Sequence, residues 1–513
     1  MQGIKKTVLF LLIWGGLLGV GLFWVYTRNA DFPFWYHWDE GGKAAQVISG
    51  TRNMNHPQLL LNGAALLERM VRPGSGDLQH VTQLGRIASA FFTAGAVVLL
   101  SWTAFWVAGG WGAVLTAGLV GFHPHVFELS HYFKEDTALM FGWAAVLFAA
   151  GVMLRYPRRS SALLLGFVCG LAVSGKYAGV FVALPALGLV VIAYRRFADL
   201  TLAALAGTFA LINFQAIRDP GLAVERIQRE LLQQMENATH LAPPWEMAWA
   251  DLGLAGLVLW VVCLAVWWHP GEAEANSAAL GERERRALLL LALTAQLSYF
   301  AGLCMITRMN ARYMLMVDVT TWWVTGIGLG RALAAVSLRK QPVLTLAGWL
   351  LLLGLAGVRG QKFGEEWVRF SSADTRVRMA KQLEDHVKPG DLLLMDILVR
   401  LPGTYAPQRD IGGWVPEVKI RPIGLWSAEM GEDMFETLLA EGVTLVMVTP
   451  DEVNRRLEAP ADAEVGRFRD VRWRQPFYRR LFAEGTLLLQ EEGHPGTVRS
   501  PPLLLYRIAY PAE

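Results

Sequence analysis

Two adjacent carboxylates, Asp39 and Glu40, open the stretch HWDEGGKAAQVISGTRNMNHPQLLL, which goes on to Lys43, Arg52 and His56. Further along, HYFKEDTALM carries Lys134, Glu135 and Asp136, VSGKYAG carries Lys176, and TRMNARYMLMVD carries Arg308 and Arg312-Tyr313. His240 lies between the last two groups. A carboxylate can bind an acceptor hydroxyl and take its proton as general base. Lys and Arg can hold a phosphate and neutralise it as it departs. Together these residue types suit group transfer from a phosphate, provided that the fold gathers segments so far apart in sequence.

What must gather them is a membrane bundle. The 513-residue chain is 53% hydrophobic and only 18% charged, with 20 Trp and 24 Phe. That balance suits many membrane interfaces rather than a soluble globule. The net charge of +3 is small, and no basic run resembles a nucleic-acid patch, so no nucleic-acid partner is expected. Cys169, Cys263 and Cys304 are far apart in apolar segments, and neither a disulfide nor a zinc site is expected of them. The first apolar run, 7–26, follows Lys5 and Lys6 but lacks a small-residue cleavage site, and it reads as an uncleaved span.

Apolar segments at 7–26, 84–107, 111–128, 137–154, 161–175, 178–194, 199–217, 247–268, 287–306, 313–335 and 343–358 make about eleven helices. With the N-terminus in the cytoplasm, four of the five inner loops carry basic residues: Arg155, Arg158 and Arg159; Arg195 and Arg196; Arg283, Arg285 and Arg286; Arg331, Arg339 and Lys340. The fifth is the short link Gly109–Gly110. Every polar group named above then falls at the outer face, beginning with the long loop 28–83. Ionisable groups at membrane depth are costly, so a convergent set lines a functional pocket by default. Asn213, Gln296 and Asp318 are the polar residues nearest the midplane. The pattern Gly326-x-Gly328-x-Gly330 reads as helix packing.

The tail from about 365 has a different rhythm. Asp374 caps a helix with Val377, Ala380, Leu383 and Val387 on one face, ended by Pro389-Gly390. Short apolar runs at 392–395, 444–448, 486–489 and 503–506, with a helix at 433–440, indicate a small α/β domain. The expected architecture is therefore mainly α: a polytopic bundle over 1–360 and an extracytoplasmic α/β domain over 365–513.

Each polar group also has a structural role open to it. Asp39-Glu40 can cap a helix, and Lys134-Glu135-Asp136 can form an interfacial cluster. Lys176 can snorkel, and Arg308 and Arg312 can anchor lipid headgroups. His56, before Pro57, can start an interfacial helix, and His240 can be structural. Asn237-Ala-Thr239 is a formal glycosylation sequon.

The order of these motifs resembles bacterial family-39 glycosyltransferases of the GT-C superfamily, relatives of protein O-mannosyltransferases and of the lipid A aminoarabinose transferase. Asp39, Glu40, His56 and Pro57 match the acidic first loop and its His-Pro. Asp136 within KEDTAL, with Glu135 beside it, matches a second acidic position. Lys176 in SGKYAG matches a Lys after a small-residue turn, and Arg312-Tyr313 an Arg-Tyr before a late span. DTRVRMAKQLEDHVKPGD resembles the start of the outer domain that many members carry. Where the family often continues into Leu-Pro, this chain reads MLMVDV, with Asp318.

The resemblance implies an inverting transfer of a sugar from a polyprenyl-phosphate donor, at the outer face of a bacterial inner membrane, to an acceptor it does not name. It implies Asp39 as general base or acceptor-binding carboxylate, Glu40 in support and Asp136 as second carboxylate. Lys176 and Arg312 are then the leaving-phosphate group, with Arg308 and Lys134 beside them and His56, Glu135, Tyr313 and His240 in the pocket. The relatives divide on metal use; no cofactor is expected, although converging carboxylates permit a divalent ion. The competing readings are a transporter or lipid flippase, which places polar groups at the midplane and often shows inverted repeats, and a non-catalytic assembly protein.

Overall fold

The computed structural model describes residues 2–32, 36–37, 39–74, 76–236, 243–268, 280–306, 310–338, 342–383, 385–388, 390–395, 419–420, 433–450, 457, 471–493 and 500–509. The chain divides into two compact units: 1–30 with 42–368, and 31–41 with 369–513.

The first unit is helical. Its elements run α1 (Gln2–Tyr26), α2 (Asp39–Ser49, whose first turn is shared with the second unit), α3 (Leu59–Val71), α4 (Leu78–Gly121), α5 (Pro124–Ser130), α6 (Asp136–Arg155) and α7 (Arg159–Gly175). They continue with α8 (Val180–Ala193), α9 (Ala198–Ile212), α10 (Phe214–Arg218), α11 (Pro220–Glu236), α12 (Pro244–Trp268), α13 (Glu282–Cys304), α14 (Leu315–Leu338) and α15 (Pro342–Ser371). Nine of the eleven apolar segments fall on one helix each, whereas 111–128 is divided between α4 and α5 and 199–217 between α9 and α10. Among the described residues, α4, α6 and α13 are long and apolar enough to cross a membrane, and Leu11–Tyr26, Arg159–Gly175, Tyr177–Ala193 and Gly256–Trp268 are shorter apolar helices.

Close backbone approaches hold the bundle together. α4 folds back on itself at Gly109, whose φ of 68° favours a residue without a Cβ. The Ser101 hydroxyl then donates to the Ala113 carbonyl (3.0 Å) across the hairpin. A Cβ on Gly326 would meet the Thr116 backbone nitrogen at 2.9 Å, and one on Gly330 would meet the Gly112 nitrogen at 2.5 Å. Gly326 and Gly330 therefore form the seam along which α14 packs on α4, while Gly328 between them packs on Cys263 of α12. Gln296, in α13, donates through its amide nitrogen to the Thr321 hydroxyl (2.7 Å) and the Val317 carbonyl (3.1 Å), tying α13 to α14. Cys169, Cys263 and Cys304 are free thiols.

The second unit is α/β. Strands β1 (Leu392–Met395), β2 (Lys419–Ile420), β3 (Leu445–Val448), β4 (Thr486–Glu491) and β5 (Leu503–Arg507) form one sheet of order β2-β1-β3-β5-β4. β1 is parallel to β2 and β3, whereas β5 is antiparallel to β3 and β4. β1 and β3 read LLLM and LVMV because both sheet faces are covered. Leu393, Leu445 and Met447 face a core shared with α16 (Thr375–Leu383), while Leu394, Val446 and Val448 face α17 (Met434–Ala440) and α18 (Val471–Glu484). The Asp374 carboxylate caps α16, accepting from the Arg376 N–H at 2.9 Å, and is clasped by the Arg376 guanidinium. The segment 31–41 belongs here: Phe32 stacks on Tyr36 (ring centroids 4.6 Å), Tyr36 meets Phe370, and Arg376 lies over Phe32.

Candidate active site

Two ion pairs are built at the end of the helical unit where α6 begins and α7 ends. Gly175, the last residue of α7, packs on the first turn of α6; a Cβ there would lie 2.7 Å from the carbonyl carbon and oxygen of Ala138. Lys176 then leaves the helix in extended conformation, and its ammonium donates to Asp136 Oδ1 at 2.7 Å. Asp136 is buried. Its second oxygen, Oδ2, is buried as well and accepts no hydrogen bond among the described residues. A buried acceptor in that condition suits a donor brought by a ligand.

The same lysine lies 4.9 Å from the ring centroid of Tyr313, and the Arg312 guanidinium carbon lies 5.2 Å from it. Tyr313 is thus flanked by two cations in cation–π range. Its position is fixed by neighbours: the buried Tyr299 hydroxyl donates to the Tyr313 carbonyl (2.8 Å), and Asn310 Oδ1 accepts from the Arg312 N–H (3.1 Å).

The second pair joins α2 to the residue before α6. Lys43 Nζ donates to Glu135 Oε2 at 2.8 Å and to the Phe133 carbonyl at 3.1 Å, and Lys134 Nζ lies 3.9 Å from the same carboxylate oxygen. All three charged side chains are buried. Burial alone raises the Glu135 pKa, yet Lys43, His56 and Lys134 hold the carboxyl well below the usual carboxylate range. Burial lowers the His56 pKa, and Lys134, Lys43 and Lys176 add to that against the opposing pull of Glu135. The imidazole is therefore kept neutral amid the lysines.

The loop bearing His56 is moored to the same end of the bundle. Asn213 accepts from the Gln58 N–H (3.0 Å) and donates to the Ser174 hydroxyl (2.8 Å), two residues before Lys176. Tyr177 donates to the Met54 carbonyl (3.2 Å). Asn213 and Gln296 are thus bonds between helices.

His56, Lys134, Glu135, Asp136, Lys176, Arg312 and Tyr313 are therefore gathered in one neighbourhood. Lys43, named in the first loop but given no role there, joins them through Glu135, one helical turn after Asp39. Asp39 and Glu40 belong to the second unit. Glu40 is buried, and its carboxylate accepts the Tyr36 N–H at 2.8 Å, closing the turn before α2. The Asp39 side chain is 43% exposed, with one carboxylate oxygen 3.7 Å from His37 Nδ1. Arg308, His240 and the 237–239 sequon lie outside the described residues.

With this geometry in view, the likenesses to known proteins agree. Residues 75–216 match the family model "Dolichyl-phosphate-mannose-protein mannosyltransferase", a stretch that contains both Asp136 and Lys176. The fold is similar to that of ArnT from Cupriavidus metallidurans bound to undecaprenyl phosphate, at 15% identity and TM-score 0.53, covering 96% of this chain and 98% of that one. The same protein in the apo state gives TM-score 0.53 at 15% identity, over 99% and 98% of the two chains. The apo oligosaccharyltransferase of Archaeoglobus fulgidus is similar at 12% identity and TM-score 0.50, over 90% and 72%. No curated protein sequence matches. The fold is thus similar to those of ArnT and of the archaeal oligosaccharyltransferase, and segment 75–216 matches the protein mannosyltransferase family model.

Proposed function

We propose that this protein is an inverting glycosyltransferase that takes a sugar from a polyprenyl-phosphate donor and passes it to an acceptor at the outer face of a bacterial inner membrane. The observation that carries the reading is the charge of the gathered site. Lys43, Lys134, Lys176 and Arg312 stand against two carboxylates, Glu135 and Asp136, while His56 is held neutral. The buried charges Lys43, Lys134, Glu135 and Asp136 balance, so the partly buried Lys176 and Arg312 leave an excess of two positive charges that an anion can complement. A lipid phosphate at the bilayer surface has the matching charge. ArnT of similar fold was crystallised with undecaprenyl phosphate, a lipid of this kind.

In this mechanism Lys176 and Arg312 hold the donor phosphate, and their attraction grows as the departing oxygen gains charge. Asp136 fixes the Lys176 ammonium, and its free oxygen accepts from a donor hydroxyl. Asp39 takes the proton of the acceptor hydroxyl, whose oxygen attacks the anomeric carbon on the side opposite the phosphate. The bond from that carbon to the phosphate oxygen breaks, the sugar inverts, and polyprenyl phosphate leaves. The part given to Asp39, and the support from Glu40, rest on the sequence motif.

The outward orientation is supported by α6 itself. Its 20 residues span about 30 Å, the thickness of the hydrocarbon layer. It runs from Asp136 to Arg155, with Arg158 and Arg159 just beyond. An arginine-rich end in the cytoplasm leaves the Asp136 end outside.

The test is incubation of the purified protein with a panel of polyprenyl-phosphate sugars, with release of polyprenyl phosphate as the readout. Release that requires Asp136 and Lys176 is expected. No release from any donor by protein with an intact melting transition overturns the proposal.

A further inference from the structure

A second constellation lies in the helical unit, and the transfer mechanism uses none of it. His123 occupies the N-cap position of α5 without a side-chain capping bond, Pro124 is the first helical residue, and His125 follows it in the first turn. Asp318 lies in the first turn of α14, some 190 residues away in sequence. His125 Nδ1 is 3.0 Å from Asp318 Oδ2, and one ligand atom from each of the three residues falls within 4.8 Å of the others. The two imidazole rings are 5.4 Å apart at 65°. His123 and Asp318 are buried, whereas the His125 side chain is 31% exposed.

Two imidazoles and one carboxylate form a donor set for a first-row transition ion. Imidazole suits zinc and its neighbours, whereas magnesium and calcium prefer sets made of oxygen. Zinc–ligand bonds of about 2.0–2.1 Å in a tetrahedron put ligand atoms roughly 3.3 Å apart. Moving from 3.0 Å and from at most 4.8 Å to that spacing takes side-chain adjustments of about an ångström. The exposed edge of His125 leaves an open side for a water as fourth ligand. Arg359 bears against this cluster: its guanidinium carbon stands 3.8 Å over the Trp322 ring, whose centroid is 6.5 Å from that of His123. Stacking holds that charge on the indole face.

We propose that His123, His125 and Asp318 bind one zinc-class divalent ion, which clamps α5 to the start of α14. The clamp has a structural purpose. α5 leads directly into the loop carrying Lys134, Glu135 and Asp136, and α14 directly follows Arg312 and Tyr313. An ion bound there fixes the spacing of the two halves of the phosphate site without touching the reacting atoms.

The experiment uses the full-length, untagged protein in detergent. It is stripped with chelator, given one equivalent of Zn²⁺ or Co²⁺, desalted and assayed for metal by atomic emission. The expected result is about one retained ion per chain, with the intense visible bands of low-coordinate cobalt and a raised melting temperature. His123→Ala, His125→Ala and Asp318→Asn should each weaken retention at least tenfold and abolish those bands, whereas His386→Ala, in the second unit, should change neither. Failure of the wild-type protein to retain metal overturns the proposal and leaves His125 and Asp318 as a plain ion pair. Retention that all three variants preserve also overturns it. His125, being partly exposed, gives the variant least exposed to a folding failure. These readouts are independent of sugar transfer, so the clamp and the glycosyltransferase reading can fail separately.

Discussion

Gly175→Ala is the sharpest perturbation of the site, because it changes no charge and no group that touches a ligand. The new methyl would stand 2.7 Å from the carbonyl carbon and oxygen of Ala138 and 2.9 Å from the Leu139 nitrogen. All three are backbone atoms of α6, with no flexible side-chain end to give way. Restoring ordinary contact, at 3.4 Å or more, needs the end of α7 to retreat by about 0.7 Å. Overpacking on this scale costs roughly 1–3 kcal/mol. Lys176 is the next residue, and the same retreat draws its ammonium away from Asp136, now at 2.7 Å. A misplacement near 1 Å costs up to about 100-fold in rate. We therefore expect a lower melting temperature and a 10- to 100-fold loss of kcat/KM for polyprenyl-phosphate release. Gly188→Ala is the control: a Cβ there meets nothing within 4 Å, and alanine favours the helix, so activity within twofold and equal or higher stability are expected. Wild-type melting and transfer in Gly175→Ala would refute the argument that this close approach sets the ion pair.

Asp136→Asn and Lys176→Gln should each reduce transfer by about 10²–10³-fold. A double-mutant cycle on thermal stability should show coupling of about 1–3 kcal/mol, as in residues sharing one network; strictly additive effects would deny the pair. Asp39→Asn should stay folded and lose about 10²–10⁴-fold in kcat, and transfer at wild-type rate would remove Asp39 from the mechanism. The pH dependence of stability should carry the mark of His56. Its folded pKa lies below the unfolded value of about 6.5, so below that pH the unfolded chain takes up a proton that the folded chain refuses, and stability falls. Glu135, whose folded pKa is depressed, keeps its contribution there and loses it only as pH falls through that depressed value. A melting series between about pH 7 and pH 5 should therefore decline less steeply in His56→Gln than in wild type; identical slopes would contradict the assignment.

Much of this architecture was legible in the sequence because its signals are local. Uniformly apolar stretches became helices, and the short runs of the tail became β1, β3, β4 and β5 close to their expected limits. Asp374 capped its helix because an acidic residue before a 3.6-residue period has little else to do. β2 and α18 went unread: β2 is two residues long, and α18 holds Pro476 within a polar, arginine-rich sequence. At the site, Asp136, Lys176 and Arg312 were recognisable as polar interruptions beside spans. Their pairing was not, since it depends on Gly175 against Ala138, a contact between positions 37 residues apart with no pattern to announce it. Lys43 was overshadowed by the carboxylates one turn before it. Asp318 looked like an intruder in a span, and its proximity to His125 exists only once α14 has packed.

The placement of residues 31–41 bears on any attempt to take this protein apart. Phe32 and Tyr36 stack within the C-terminal unit, against Phe370 and Arg376, yet the chain runs on without interruption into α2. Deleting everything after 368 would strip those rings of their cover and leave the opening turn of α2 without its setting. A chimera meant to exchange the C-terminal unit must therefore exchange this eleven-residue insert with it, and a cut at one site yields neither half intact.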